Sequence, residues 1–150
     1  MRLSELTLTD QHFLATHHAA AMVTVAADGW AKAAKIEPAV VDGLLWSISH
    51  QHKVRTRRLR NDRRATLFYD GEGSEYLVVE AVVSILDGPE VTDQLVRFMR
   101  VRQNRLAGPL AWHGDNHVEV DLDERAFVRA MRDEGCLIYE FDVQRVYGNR

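Results

Sequence analysis

Between Ser47 and Tyr69 the chain reads SISHQHKVRTRRLRNDRRATLFY, and most of its chemistry-bearing side chains gather there. Two hydroxyls, Ser47 and Ser49, close an apolar run, and His50, His52, Lys53 and Arg55 follow at the entry to a segment of good helix formers. A helix entry offers free backbone N–H groups and the positive end of the helix dipole, where phosphate binds readily. Hydroxyls add directed hydrogen bonds, and Lys53 and Arg55 add charge, with arginine able to grip two oxygens at once. The combination makes a phosphate cradle. The same segment also reads as a solvated basic helix.

Charge distribution bears on that choice. Of the 19 basic residues, seven fall between Lys53 and Arg64, with Asp62 as the single acid among them. The rest of the chain holds 12 bases against 21 acids, a balance of -9. Positive charge confined to one short segment suits a phosphate-sized anion better than a nucleic-acid track, which needs a broader stripe or exposed aromatic platforms. No nucleic-acid partner is expected. Arg57, Arg58 and Arg60 sit deeper in the predicted helix, where the spacing turns most of them towards solvent.

Other reactive residues point to less. The histidines His17–His18, His50-x-His52 and His113-x3-His117 lack a partnering cysteine or an HExxH pattern, so loop or surface histidines are expected and no metal site. Cys136 opens a predicted buried strand without a basic neighbour and reads as an inert core thiol. Asp121-x-Asp123 lacks the rest of a calcium loop. Trp30, Trp46 and Trp112 are aromatic enough to line a ring pocket, but in a barrel they read first as core. Trp46 and Ser47 alternate, so one is expected to face inward and the other outward.

The elements that position these residues belong to one domain, 1–150, of ordinary composition: 150 residues and 46% hydrophobic, enough for a single core. One cysteine, no apolar run near the roughly 20 residues that span a bilayer, and an N-terminus with acids where a signal peptide is apolar lead to a cytoplasmic, non-membrane expectation. Thr7 and Asp10 resemble a capping box before a helix in LTDQHFLATHH. Asp28-Gly29 and Asp42-Gly43 are hairpin signals, predicting three strands in meander: Ala20–Ala26, Trp30–Glu37 and Leu44–Ser49. A short helix over Lys53–Asn61 then crosses to strands Ala65–Asp70 and Tyr76–Leu86, the latter apolar on both faces. A helix over Val91–Leu106, a loop over Gly108–Asn116, a helix capped by Asp123 and ended by Gly135, and a strand over Cys136–Val143 complete the reading. Hairpin-linked strands with inserted helices make a mainly β fold, an antiparallel barrel with peripheral helices.

The strand order, the Asp-Gly hairpins and the basic strand-to-helix turn resemble the pyridoxamine 5′-phosphate oxidase-like split β-barrel superfamily. The resemblance is greater to its flavin/deazaflavin oxidoreductase branch, whose members show a Ser/Thr pair, a basic-x-basic motif, a leucine and a D-P-R-like turn. This chain offers Ser47 and Ser49, Lys53-x-Arg55, Leu59, then Asp62-Arg63-Arg64, over about His17 to Gly88. It departs in having Arg63 for the turn proline and Lys-x-Arg where many relatives have Arg-x-Lys.

The resemblance implies an FMN-binding-like split β-barrel. It implies that Ser47, Ser49, Lys53 and Arg55 hold a coenzyme phosphate; by their position His50 and His52 are neighbours of that cradle or simply exposed. It also implies that the segment Ala34–Pro38, with Lys35, Ile36 and Pro38, passes beside the coenzyme ring, and that the site lies between the subunits of a homodimer. The long apolar strand Tyr76–Leu86, hard for one small barrel to cover, agrees with a dimer. The coenzyme implied first is the deazaflavin F420, with FMN as the alternative. The coenzyme would carry hydride to a small organic acceptor, so no side chain is named as catalytic. Vitamin B6 oxidation is disfavoured, because no tail resembles the substrate-binding ends of pyridoxamine phosphate oxidase. A carrier or sensor that binds the coenzyme without turnover needs the same cradle.

Overall fold

The computed structural model describes residues 1–114 and 118–150. After a single 3-10 turn at Leu3–Glu5, helix α1 (Leu8–Thr16) starts where the Thr7 hydroxyl accepts the Asp10 N–H at 3.1 Å. Strands β1 (Ala20–Val25), β2 (Ala31–Ile36), β3 (Ala39–Val41) and β4 (Leu44–His50) precede helix α2 (Val54–Asn61). Strands β5 (Arg64–Asp70) and β6 (Tyr76–Leu86), helix α3 (Val91–Gln103), strands β7 (Leu110–His113) and β8 (Glu119–Leu122), helix α4 (Glu124–Asp133) and strand β9 (Cys136–Asn149) follow.

Among the described residues, seven strands form one antiparallel sheet in the order β2-β1-β5-β6-β9-β4-β3. Only Glu37 and Pro38 separate β2 from β3, the two outermost strands. Three Cα steps span at most about 11 Å, so the two edges lie close and the sheet must curl on itself. No ladder joins β2 to β3, which leaves the barrel split. Inside it pack Met22, Leu45, Leu67, Leu77, Val79, Leu137 and Phe141. A second apolar cluster, around Trp46, Phe98, Phe127 and Ile138, lies outside the barrel wall under α3 and α4. The expected mainly β barrel with peripheral helices is what the chain forms.

Several details differ from the sequence reading. The early strands are not a meander: β2 pairs only with β1, while the second Asp-Gly turn joins β4 to the short β3 hidden behind Pro38. Asp42 and Gly43 both take positive φ, 51° and 76°, as a two-residue hairpin requires. The third helix stops at Gln103, because Asn104 turns left-handed at φ 52° and its N–H bonds back to the Arg100 and Val101 carbonyls. The predicted loop contains β7, paired with β8 from Leu110↔Leu122 to His113↔Glu119. Strand β9 runs on to Asn149, beyond Val143, through a bulge that inserts Gln144 opposite the Glu80/Ala81 step. Trp46 and Ser47 do point to opposite faces, yet both are buried, because helices cover the outer side of β4.

Residues far apart in sequence are clamped by an ion pair. Asp10 is buried, and both of its carboxylate oxygens meet the Arg150 guanidinium, Nη2 at 2.9 Å. The hydrogen bonds from Arg150 hold the Asp10 carboxyl below its ordinary value, outweighing the opposing effect of burial. A carboxyl depressed in the folded state stabilises fully above its unfolded pKa and loses that contribution as pH falls through the folded one. Arg150→Ala should therefore lower the unfolding free energy by about 1.5–3 kcal/mol at neutral pH. Denaturant unfolding of both proteins should show this difference vanish in strong acid; a difference independent of pH would show that the pair is not its source.

Candidate functional site

Strand β4 carries the hydroxyls and α2 the charge. Alternation along β4 sends Leu45, Ser47 and Ser49 into the barrel and Trp46, Ile48 and His50 to the side under α3 and α4. Ser47 and Ser49 are both fully buried. The Ser49 hydroxyl accepts a hydrogen bond from Arg55 Nε at 3.3 Å, so the first turn of α2 lies directly over it. The Ser47 hydroxyl and the Tyr69 hydroxyl have no hydrogen-bond partner among the described residues. Burial raises the Tyr69 pKa, so this phenol stays neutral.

A threonine fixes the helix against the barrel. Thr56, buried in the first turn of α2, donates from Oγ1 to the His50 carbonyl at 2.8 Å and also meets the Tyr139 hydroxyl in a short hydrogen bond. Tyr139 is the ladder partner of Ser47. The two serines, Thr56, Tyr139 and Arg55 thus form one polar cluster where β4 runs into α2. Sequence reasoning passed over Thr56 and Tyr139. The signal available for Thr56 was a hydroxyl between two arginines in a helix otherwise anchored by Leu59.

The seven cations of the basic segment divide into two groups. Arg60 pairs with Asp87 at 3.0 Å, Arg64 with Asp62 at 2.8 Å, Arg63 donates to the Val83 carbonyl and Ser84, and Arg58 to Thr24. Arg60 is therefore exposed but engaged, and Arg58 is half-buried rather than solvated. Hydrogen bonds from the Arg64 guanidinium, and then from its backbone N–H, hold the Asp62 carboxyl down at about 2. Lys53, Arg55 and Arg57 have no carboxylate partner among the described residues. Lys53 is the exposed N-cap of α2, makes no capping bond through its side chain, and no acid stands in the first turn. The helix dipole there is uncompensated by protein charge. Arg55 projects over β4, and Arg57, two residues on, faces solvent.

The remaining predicted residues lie elsewhere on the chain. His50 sits on the opposite face of β4 from Ser47 and Ser49, with its ring against Glu134 at 3.5 Å. Burial lowers the His50 pKa, and the Glu134 charge opposes that in part. His52 is exposed, its ring 5.4 Å from that of His50. Ile36 and Pro38 are buried, Ile36 in the barrel core. Lys35 is exposed and lines a shallow depression of about 320 Å³ with Ala21, Ala33, Phe68 and Asp70. Of the tryptophans, Trp46 is core, Trp112 packs edge-on against Phe127, and Trp30 is 73% exposed at the β1–β2 turn. Cys136 is buried, its thiol pushed up to about 12 by burial and then by Glu134. His117 lies outside the described residues.

Comparison with known proteins places this geometry. No protein-family model matches the sequence, and no curated protein does. Among solved structures, the conserved hypothetical protein Rv2991 from Mycobacterium tuberculosis superposes with a TM-score of 0.70 at 19% identity, over 95% of this chain and 84% of that one. An F420 reductase superposes at 0.61 and 16% identity, over 91% and 94% of the two chains. A Listeria innocua protein assigned as a pyridoxamine 5′-phosphate oxidase does so at 0.61 and 13%, over 95% and 98%. At these identities the likeness is one of fold: the chain is built as a pyridoxamine 5′-phosphate oxidase-like split β-barrel.

Proposed function

We propose that this protein, residues 1–150 acting as one unit, is an oxidoreductase that binds a phosphate-bearing deazaflavin, coenzyme F420, with its phosphate at the start of α2. The observation that carries this reading is the arrangement of Arg55 over Ser49 beside the uncompensated N-terminus of α2 and the exposed Lys53. Two cations without carboxylate partners and an open helix dipole, with Ser49 bracing Arg55, form an anion-binding set suited to a phosphate group. The fold supports the reading, since one neighbour is an F420 reductase and another an FAD-binding protein from Mesorhizobium loti. FMN would satisfy the same donors, so it is the alternative outcome of the test.

When bound, such a coenzyme supplies the hydride for a small organic acceptor. The protein's part is to bind and orient it. Arg55 and Lys53 would hold the phosphate, Ser49 would keep Arg55 in place, and the Thr56–Tyr139 contact would keep the helix start rigid against the barrel. Arg55→Ala removes one charge-assisted contact of about 1.5–3 kcal/mol, so coenzyme affinity should fall roughly ten- to a hundredfold. Arg57→Ala, which removes the same charge from the solvent side, should cost less than about threefold. Fluorescence or absorbance titration of F420 and FMN against both variants distinguishes the cases; equal losses would mean that only bulk charge matters.

We propose further that two copies associate through the uncovered outer face of the barrel. Val25, Phe68 and Tyr147 are each 40% or more exposed on β1, β5 and β9, with Phe68 stacked on Tyr76 at 5.6 Å. The depression containing Ala34 and Lys35 opens on the same face. A charge at the centre of such a face is strongly disfavoured on association, whereas the exposed position leaves the barrel core untouched. Light scattering should find the wild-type dimeric at micromolar concentration and Phe68→Arg folded but with a dimer at least about tenfold weaker. A monomeric wild type with coenzyme bound would overturn the dimer.

A further inference from the structure

The histidine pairs visible in the sequence form no cluster among the described residues, but the fold assembles a different set of donors. His50 and Cys136 are directly opposed ladder partners at the ends of β4 and β9. Directly opposed residues in an antiparallel ladder present their side chains to the same face. Glu134, the last residue of the α4 cap, reaches the same point through the left-handed Gly135 at φ 66°. One ligand atom from each of the three lies within 4.8 Å of the others, and His50 Nε2 is 3.5 Å from Glu134 Oε2.

We infer that His50, Glu134 and Cys136 form a zinc-binding site. Tetrahedral zinc, with bonds near 2.0–2.3 Å to nitrogen, oxygen and sulfur, separates its ligand atoms by about 3.3–3.6 Å. Side-chain rotations of an ångström or so close the present spacing to that value. One imidazole, one thiolate and one carboxylate are a mixed, borderline-soft donor set, which suits Zn(II) and excludes calcium or magnesium, whose ligands are oxygens. His50 Nδ1 is buried without a hydrogen-bond partner among the described residues. Either ring nitrogen is thus open to a metal, Nδ1 as the one without a protein partner and Nε2 as the one directed at Glu134.

The supports are rigid. The ladder fixes His50 against Cys136, and the Gln51 N–H donates to the Gly135 carbonyl at 2.9 Å, tying the loop after β4 to the turn that carries Glu134. Cys136 lies at the bottom, 8% exposed, whereas the His50 and Glu134 side chains are 27% and 26% exposed, which gives an ion a path in from solvent. On binding, the Cys136 thiol gives its proton to solvent and the sulfur takes the metal, leaving the fourth position to water. The ion would bridge β4, β9 and the end of α4 behind the cradle. This site is independent of the coenzyme reading, because its ligands lie on the other face of β4.

The test uses the full chain, stripped with a chelator and free of coenzyme, titrated with Co(II) and then Zn(II). One equivalent of cobalt should give tetrahedral ligand-field bands and a thiolate-to-cobalt charge-transfer band, both removed by zinc. Cys136→Ser should abolish the charge-transfer band. Glu134→Gln, at a half-exposed position that does not endanger folding, should weaken zinc binding by at least about tenfold, the loss that even an outer-shell partner carries. Asp133→Asn, on the exposed neighbour, should change nothing. Cobalt binding without a thiolate band, or zinc affinity equal in Glu134→Gln and wild type, would overturn the site.

Discussion

Strand β9 is the constraint on which the rest of the architecture depends. Its residues Ile138–Glu140 pair with β6 on one edge and β4 on the other, and its later half continues along β6 as far as Asn149. Without it, β4 would be an edge strand held only by the three residues of β3. With it, β4 has a fixed register, Ser47 faces Tyr139 and His50 faces Cys136. The two-residue link from β2 to β3 then brings the opposite edge of the sheet round to the same side. Barrel closure and the location of the polar cluster are consequences of one strand being shared.

From that register the chemistry divides by face. The inward side of β4 presents hydroxyls, because Ser47 and Ser49 occupy the alternate positions that would otherwise be apolar core. A buried hydroxyl costs free energy unless paired. Ser49 is paired by Arg55, and Thr56 by the His50 carbonyl and Tyr139. This draws the basic helix onto the barrel mouth with a cation over the strand and leaves its N-terminus open. Arg58, Arg60, Arg63 and Arg64 are engaged elsewhere on the chain and Arg55 is held over Ser49, so the charge at the start of α2 is small and placed, not a diffuse patch.

Much of this was legible in the sequence where a local rule had no competitor. Asp28-Gly29, the capping residues Thr7 and Asp123, and the nearly all-apolar run Tyr76–Leu86 marked elements at nearly their observed bounds. Legibility failed where tertiary context decided. Strand β3 is three residues long behind a proline, and the partner of β7 lies beyond residues that read as loop. The alternation in β9 is interrupted at Gln144, where the bulge shifts the inward phase by one residue and makes the continuing strand look irregular. For the proposed cradle, residue types and order pointed to Ser47, Ser49, Lys53 and Arg55, but not to Thr56 and Tyr139, which are 83 residues apart. Nor did sequence separate His50 from the serines, since the predicted strand stopped at Ser49, whereas β4 includes His50 and alternation turns it to the other face.

The central claim is that the start of α2 is a phosphate site in a split barrel that holds a flavin-type coenzyme. A crystal structure of the protein grown with F420, and in parallel with FMN, tests it most directly. The account predicts phosphate oxygens within hydrogen-bonding distance, roughly 2.7–3.2 Å, of the Arg55 guanidinium, with Lys53 alongside. A coenzyme bound with its phosphate away from α2, or crystals that take up neither coenzyme at saturating concentration, would contradict it.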